Sequence, residues 1–449
     1  MRTLNSVDGN GSMFSHNDAA EDHRWAVLVG ATTSGSSASQ HWFQGFLKAC
    51  RQRKLMICGV DFEGSMATKT PPIPLDCLIT VPGEYTRELS KEALAQVVDE
   101  LHNCRVVEVA LSVALRENYQ IPNSQLVETL GLRGNSIQCI ELIQDKPACR
   151  DALRRAGVVQ PRSLRIAGVE SDGNVRAVDS AGIPVETRVD LSSGWIVKPA
   201  TGMGSVGVSY VTDPGELAAL GPEVGAGSYC LEEFIHGEEF SVEAITVAGR
   251  VRLYAATAKT TNEWFVETGH RQPAPPHKVP PTEDLALQLQ ACVTALGIRW
   301  GHLHAEFWVV PDGSVVWGEF HVRQGGDFIA PDLVEAVRPG LDFYGELVNS
   351  LSGVALDELA PVAQYAGVNF IETASGRVVA TALADQVPTG VVVHWDCKPG
   401  DTVTALNGLR ARVAAVVARA DDEESLESLL TGVSDGCECR VVSQVRIDV

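Results

Sequence analysis

The sequence predicts a mixed α/β and α+β protein in three blocks: a doubly wound parallel-sheet domain, a larger strand-and-hairpin domain, and a small α+β domain. Three observations predict it. Short apolar runs alternate with helical periods up to about residue 134, the order that builds a parallel sheet. Hairpin and turn signals then replace that alternation. The chain, at 449 residues, is too long for one core when domains run to roughly 100–200 residues.

Residues 1–23 are polar and lack the basic-then-apolar layout of a signal peptide. They read as a mobile extension. Trp25–Gly30 is a short apolar run suited to a buried parallel strand. A Gly/Ser-rich loop follows, then a helix near Gln40–Arg53. Strands are expected at Leu55–Asp61, Leu78–Val81 and Val106–Leu111, with a helix at Lys91–Asn103. Loops at the C-terminal ends of such strands face a ligand crevice. The first domain is therefore placed at 24–134.

The second block, 135–355, opens with helices at Ser136–Ile143 and Asp145–Ala156, Asp145 serving as N-cap and Gly157 as stop. Strands follow at Trp195–Pro199, Val208–Val211, Tyr229–Ile235, Phe240–Val247 and Val251–Thr257. Thr282–Leu296 reads as a helix, Gly301–Val310 and Ser314–Phe320 as a hairpin, and a long helix is expected after Pro331. The third block, 356–449, carries strands near Val368–Ile371, Val391–His394 and Cys439–Ile447 and a helix near Glu424–Leu430.

Charge and cysteine content narrow the function. Lys plus Arg total 36 against 57 Asp plus Glu, a formal charge of −21. That balance argues against nucleic acid or an anionic membrane as the main partner, yet leaves room for phosphorylated small molecules in a cationic pocket. No apolar run approaches the roughly 18–20 residues of a transmembrane helix. Eleven scattered cysteines, an odd number, suggest buried thiols in a reducing compartment and a cytoplasmic protein. Cys437 and Cys439 form a lone C-x-C without a second pair to complete a metal site.

Four stretches carry chemistry. Lys198-Pro199 leads into Gly202-Met203-Gly204-Ser205-Val206-Gly207, a literal G-x-G-x-x-G. A dinucleotide site needs that loop to open a helix. Here a β-branched run follows, so the loop joins two strands. What remains is a nest of amides beside a lysine, able to fold over phosphates, or an ordinary hairpin loop. Glu232-Glu233-Phe234-Ile235 ends a strand before Gly237 and Glu239. Backbone there could read an adenine edge and a carboxylate could take ribose hydroxyls; equally, it could be a solvated surface.

The third stretch is the hairpin turning at Asp312-Gly313, a strong two-residue turn signal. Its expected register puts Glu306 opposite Glu319, His304 opposite His321 and His302 opposite Arg323, all six on one face. Opposed carboxylates repel unless a cation intervenes. They are hard oxygen ligands suited to Mg²⁺ or Mn²⁺ on nucleotide phosphates, while the histidines leave a Zn²⁺ reading open, as does a salt-bridge face centred on Arg323. Arg323-Gln324-Gly325-Gly326 sets a guanidinium beside glycine amides, as a transferred phosphoryl group or an oxyanion requires. The fourth stretch, Glu267-x-x-His270, could hold an ammonium or relay a proton, or be a capped loop.

In this order the residues Asp145-Lys146, Lys198-Pro199 with its glycine loop, Glu232–Ile235 with Glu239, Glu306, and Glu319-x-x-x-Arg323-x-Gly325-Gly326 resemble the ATP-grasp superfamily, most closely its L-amino-acid (dipeptide) ligases. The resemblance implies a two-lobed central domain whose lid lobe lies at about 160–230. It implies ATP phosphates on Lys146 and Lys198 under the 202–207 lid, adenine on the backbone of Glu233 and Ile235, and ribose on Glu239. It implies Mg²⁺ on Glu306 and Glu319, and a carboxylate and its acyl phosphate steadied by Arg323. Glu267 and His270 would lie at the amino-acid site. His321 stands where much of the superfamily has Asn, so its imidazole joins the expected metal set. The implied activity is an ADP-forming ligase joining a small carboxylate to an amine. A purine-biosynthesis or biotin-carboxylase type enzyme and a catalytically silent nucleotide-binding module are the alternatives. Partners are small molecules, with a homodimer also compatible.

Overall fold

A computed structural model describes residues 24–442 except 33–35, 66, 68–73, 83–87, 105, 107, 171–174, 180–181, 186–188, 203–206, 221–223, 225–227, 264, 384–386 and 406–410. The polar extension 1–23 and the loop residues Gly204 and Ser205 lie outside the described residues.

Strands β1 (Arg24–Val29), β2 (Met56–Phe62), β3 (Cys77–Val81) and β4 (Glu108–Val113) form a parallel sheet in the order β3-β2-β1-β4. Helices Ser37–Gln52 and Lys91–Asn103, each N-capped by a serine hydroxyl, pack their apolar stripes on it. A helix that sequence reading did not anticipate, Gln120–Leu130, ends at the left-handed Gly131. The polar run Asn123-Ser124-Gln125 interrupts its apolar residues and leaves no clear helical stripe.

The next helices start at Ile137 and Lys146, and the Asp145 carboxylate caps the second by accepting from the Ala148 amide, as its position predicts. A six-stranded antiparallel sheet follows: β5 (Ser163–Val169), β6 (Val175–Val178), β7 (Pro184–Val185), β8 (Trp195–Pro199), β9 (Ser209–Val211) and β10 (Tyr229–Glu233), in the order β7-β6-β5-β10-β8-β9. The glycine loop joins antiparallel β8 and β9, which excludes a dinucleotide-binding turn.

An eight-stranded antiparallel sheet carries the rest: β11 (Glu238–Val247), β12 (Arg250–Thr261), β13 (Glu267–Gln272), β14 (Trp300–Val309) and β15 (Val315–His321), continued by β16 (Tyr365–Thr373), β18 (Val391–Trp395) and β20 (Ala411–Ala420). The order is β15-β14-β11-β12-β13-β16-β20-β18. The sheet thus runs across residue 355 without a break, and three strands of the third block belong to it. Only β17 (Gly376–Ala382), β19 (Thr402–Val403) and β21 (Glu438–Val442) form a separate small sheet. Helix Thr282–Leu296 covers one face of the large sheet, where Leu285, Leu289, Cys292 and Val293 meet Phe240, Phe307 and Trp317.

The long helix expected after Pro331 does not form. Ala330 is extended, only Val334–Val337 is α-helical, and Pro339-Gly340 interrupts before the next helix, Phe343–Ser352. A residue preceding proline is pushed out of the helical region, which ends the first piece at Arg338. Among the described residues no helix is long and apolar enough to cross a membrane, and all eleven cysteines are free thiols.

Candidate functional site

The six-stranded and eight-stranded sheets face each other, and their charged residues meet between them. From the first come Lys198 on β8 and Glu232 on β10; from the second comes Glu319 on β15. The Lys198 Nζ lies 2.7 Å from Glu232 Oε2 and 2.8 Å from Glu319 Oε1. Lys146, at the start of its helix, sets its Nζ 3.6 Å from Glu319 Oε2 and donates to the Gly202 carbonyl at 2.9 Å. One lysine thus ties the helix to the glycine loop. Burial disfavours the charge on Lys198, but Glu232 and Glu319 overcome this and hold its pKa well above the ordinary lysine value. The same balance pulls Glu232 down to about 2, burial opposing and Arg150 and Lys198 prevailing.

The Glu232 side chain is held by two cations. It is buried between Lys198 and the fully buried Arg150. Glu233 is exposed, and its amide donates to the Arg162 carbonyl. Phe234 and Ile235 are half-buried, with the Phe234 amide bonded to the Gly194 carbonyl.

The β14–β15 hairpin keeps the expected register at its open end, where His304 pairs with His321 and Ala305 with Phe320. Toward the turn it slips by one, so that Phe307 pairs with Trp317. The slip is a β-bulge that sets Gly318 and Glu319 against Glu306. Glu306 and Glu319 are therefore not a simple opposed pair, which corrects the expected geometry. A Cβ on Gly318 would lie 2.9 Å from the Glu306 carbonyl oxygen, so the bulge requires glycine. Arg150 caps it by donating to the Gly318 carbonyl.

His302 departs from the expected acidic face. It stacks on Phe343 at 3.7 Å and donates to the Phe343 carbonyl, and burial lowers its pKa to about 3. It is a neutral core histidine. His321 instead faces the site: its Nδ1 is 3.0 Å from Glu117 Oε2 and its Nε2 3.7 Å from Glu319 Oε2. It is not packed among Phe307 and Trp317. Glu117 also accepts from Arg323 Nε at 2.9 Å and from Gln144 Nε2. Although burial raises a carboxyl, His321 and Arg323 bring Glu117 down to about 2. Glu117 follows β4 of the first domain, at the strand C-terminal end where a crevice was expected, and it escaped sequence reading because its partners lie some 200 residues on.

A second unanticipated residue organises the acidic face. Lys259 on β12 is buried, with its Nζ 2.5 Å from Glu306 Oε1, 2.8 Å from Glu267 Oε1 and 3.2 Å from Glu239 Oε1. Carboxylate oxygens of Glu239, Glu267 and Glu306 all lie within 4.8 Å of one another. Burial raises Glu239 to about 7, whereas Lys259 overcomes burial at Glu267 and Glu306 and holds both well below the usual carboxylate range. Glu267 also reaches the fully buried His270, Oε2 to Nε2 at 3.3 Å, on β13 rather than in a loop. His304 bridges Glu243 at 2.7 Å and Glu306 at 3.4 Å; burial opposes its charge, but these carboxylates raise it to about 9.

The turn after β15 closes the site. A Cβ on Gly325 would lie 2.7 Å from Glu243 Oε2 and 3.0 Å from His304 Nδ1, whereas one on Gly326 would meet nothing within 4 Å. Asp327 and Phe328 then adopt φ of +51° and +66°, strain of the kind held at functional sites. Asp327 pairs with Arg412 at 2.8 Å. The two glycines should therefore respond differently. Gly325→Ala is expected to lower stability by about 1–3 kcal/mol through overpacking, while Gly326→Ala melts like the parent. Equal melting temperatures for both would contradict this.

Carboxylates and lysines thus converge between two antiparallel sheets, and residues 191–332 match the family model of the ATP-grasp domain. The chain is similar to the alanine–anticapsin ligase of Bacillus subtilis (strain 168), 26% identical over 208 residues. That match covers 40% of this chain and 41% of the relative, so the chain aligns with less than half of the curated relative's length. Its fold matches an L-amino acid ligase from Bacillus licheniformis with a TM-score of 0.74 and 18% identity, over 94% of this chain and 99% of that one. It also matches phosphoribosylglycinamide synthetase from Anaerococcus prevotii, at a TM-score of 0.65 and 14% identity over 93% and 100% of the two chains.

Proposed function

We propose that the chain is an ATP-dependent, ADP-forming ligase that activates a small carboxylate, an amino acid or related acid, and couples it to an amine. The observation that carries this reading is the convergence of Lys146 and Lys198 on Glu319 across the cleft. Lys198 from one sheet and Lys146 from the helix beside it, opposite Glu319 of the other sheet, suit a nucleotide triphosphate held between them, because phosphoryl transfer is mostly positioning and charge stabilisation.

Lys146 and Lys198 take the phosphates, and the loop residues Gly202, Gly204, Ser205 and Gly207 contribute to the same binding. Backbone of Glu233 and Ile235, beside Phe234, takes adenine; Glu239 takes ribose; and Glu232 keeps Lys198 in place. Glu306 and Glu319 offer hard oxygens that fit Mg²⁺ or Mn²⁺, and His321 lies beside them. When bound, such an ion neutralises phosphate charge. Arg323, oriented by Glu117, steadies the substrate carboxylate. Its oxygen attacks the γ-phosphorus, the bond to ADP breaks, and an acyl phosphate forms against Arg323 and the Gly325 and Gly326 amides. The amine, held near Glu267 and His270, attacks the acyl carbon and phosphate leaves.

The test is ADP release with ATP, Mg²⁺ and pairs of amino acids, with products read by mass spectrometry. ADP and an amide product that both require the pair are expected. Turnover with bicarbonate or formate alone would transfer the chain to the other small-carboxylate enzymes. No turnover with any candidate would favour a silent nucleotide-binding module.

A further inference from the structure

Three thiols meet in the first domain, at the end of its sheet opposite the crevice. Cys58 on β2 lies level with Cys77 on β3. Cys104 sits at the C-cap of helix Lys91–Asn103, and its Sγ is 2.9 Å from that of Cys77. This is inside the ~3.5–4.0 Å of ordinary non-bonded carbon contacts and about 1 Å outside an S–S bond of ~2.05 Å. Cys58 is fully buried, while Cys77 and Cys104 are partly exposed.

The surroundings separate the three chemically. Hydrogen bonding from Cys58, reinforced by Cys104, lowers Cys77 to about 6, against burial and against the facing carboxylates of Glu100 and Asp76. Asp76 is itself paired with Arg51. Burial pushes Cys104 up to about 12, and the hydrogen bond to Cys77, reinforced by burial, raises Cys58 as well. A thiolate beside a protonated thiol is the arrangement that reacts with oxidants and is then captured. The chain contains a natural control: Cys397 and Cys439 are 3.9 Å apart, and burial raises Cys397 to about 12.

We propose that Cys77 and Cys104 are a site of reversible thiol oxidation, in which Cys77 reacts with a hydroperoxide and Cys104 captures the product as a disulfide. The Cys77 thiolate attacks a peroxide oxygen; the S–O bond forms, the O–O bond breaks, and the leaving oxygen departs as water or alcohol after taking a proton. Cys77 is then a sulfenic acid, oxidised by two electrons. The Cys104 sulfur attacks it, the S–S bond forms, and the sulfenic oxygen leaves as water with the Cys104 proton. Two thiols and one hydroperoxide thus give one disulfide, water, and a second water or an alcohol. A dithiol reductant reverses it.

The full chain is treated with stoichiometric hydrogen peroxide, its remaining thiols are alkylated, and non-reduced peptides are mapped by mass spectrometry. A Cys77–Cys104 cross-link removed by dithiothreitol is expected, with Cys397 and Cys439 still alkylated. Without peroxide, Cys77 should alkylate at pH 7 faster than Cys104, whose thiol stays protonated. In Cys104→Ser, Cys77 should instead be trapped by dimedone as the sulfenic acid. A Cys58–Cys77 cross-link, prior oxidation of Cys397 and Cys439, or Cys77 recovered fully alkylated after peroxide would each overturn the proposal.

Discussion

Lys198→Ala is expected to abolish turnover and to lower the melting temperature of a protein that still folds. The first effect follows from losing the cation proposed to hold the phosphates, on the order of 10²–10³-fold for one preorganised stabilising group. The second is a tertiary effect. Lys198 is buried against Glu232 and Glu319, and its removal leaves two carboxylates short of a partner. Breaking a buried pair from one side costs about 3–5 kcal/mol; Arg150 still pairs with Glu232 and Lys146 lies near Glu319, which holds the cost to the lower part of that range. Steady-state kinetics and calorimetry on one preparation check both parts. Parental activity in a folded Lys198→Ala protein would remove the phosphate assignment.

Lys259→Ala is expected to be the most destabilising single change on the acidic face, by about 3–5 kcal/mol at neutral pH. Its Nζ neutralises Glu239, Glu267 and Glu306 together. Once it is gone, burial raises the folded-state pKa of Glu267 and Glu306 relative to the parent, with His270, His304 and His321 left to oppose it. A carboxyl whose folded pKa is raised loses stability as pH climbs through that value, so the variant should recover relative to the parent on acidification. Divalent cations should also raise its melting temperature more than the parent's, because three carboxylate oxygens then lie within 4.8 Å of one another with no ammonium among them. A variant that melts like the parent at neutral pH, indifferent to pH and to cations, would show that Lys259 is not the keystone of this face.

Local signals carried a large part of the fold. Asp145 capped a helix, Asp312-Gly313 turned a hairpin, and Lys91–Asn103 and Thr282–Leu296 formed helices over their whole predicted spans. Each depends on residues within one or two turns of each other, where propensity and capping decide. Strands β13, β17 and β20 were not legible in the same way. Their sequences, such as Glu267–Gln272, are polar or Ala-rich, and what makes them strands is the neighbour they pair with.

By itself the sequence determined the order of the charged residues Lys146, Lys198, Glu232, Glu306, Glu319 and Arg323, the parallel character of the first sheet and the turn between β14 and β15. Only the tertiary structure decided how those charges are shared. It brought Glu117 to Arg323, Arg150 to the Gly318 bulge and Lys259 among three glutamates, and it turned His302 into the core while His321 faced the cleft. The physical reason is range. Capping, periodicity and turn geometry act between near neighbours in the chain and leave a pattern there. A buried ion pair depends on which strands a distant sheet sets side by side and on a one-residue slip at Gly318, and neither is written in the spacing of the residues concerned.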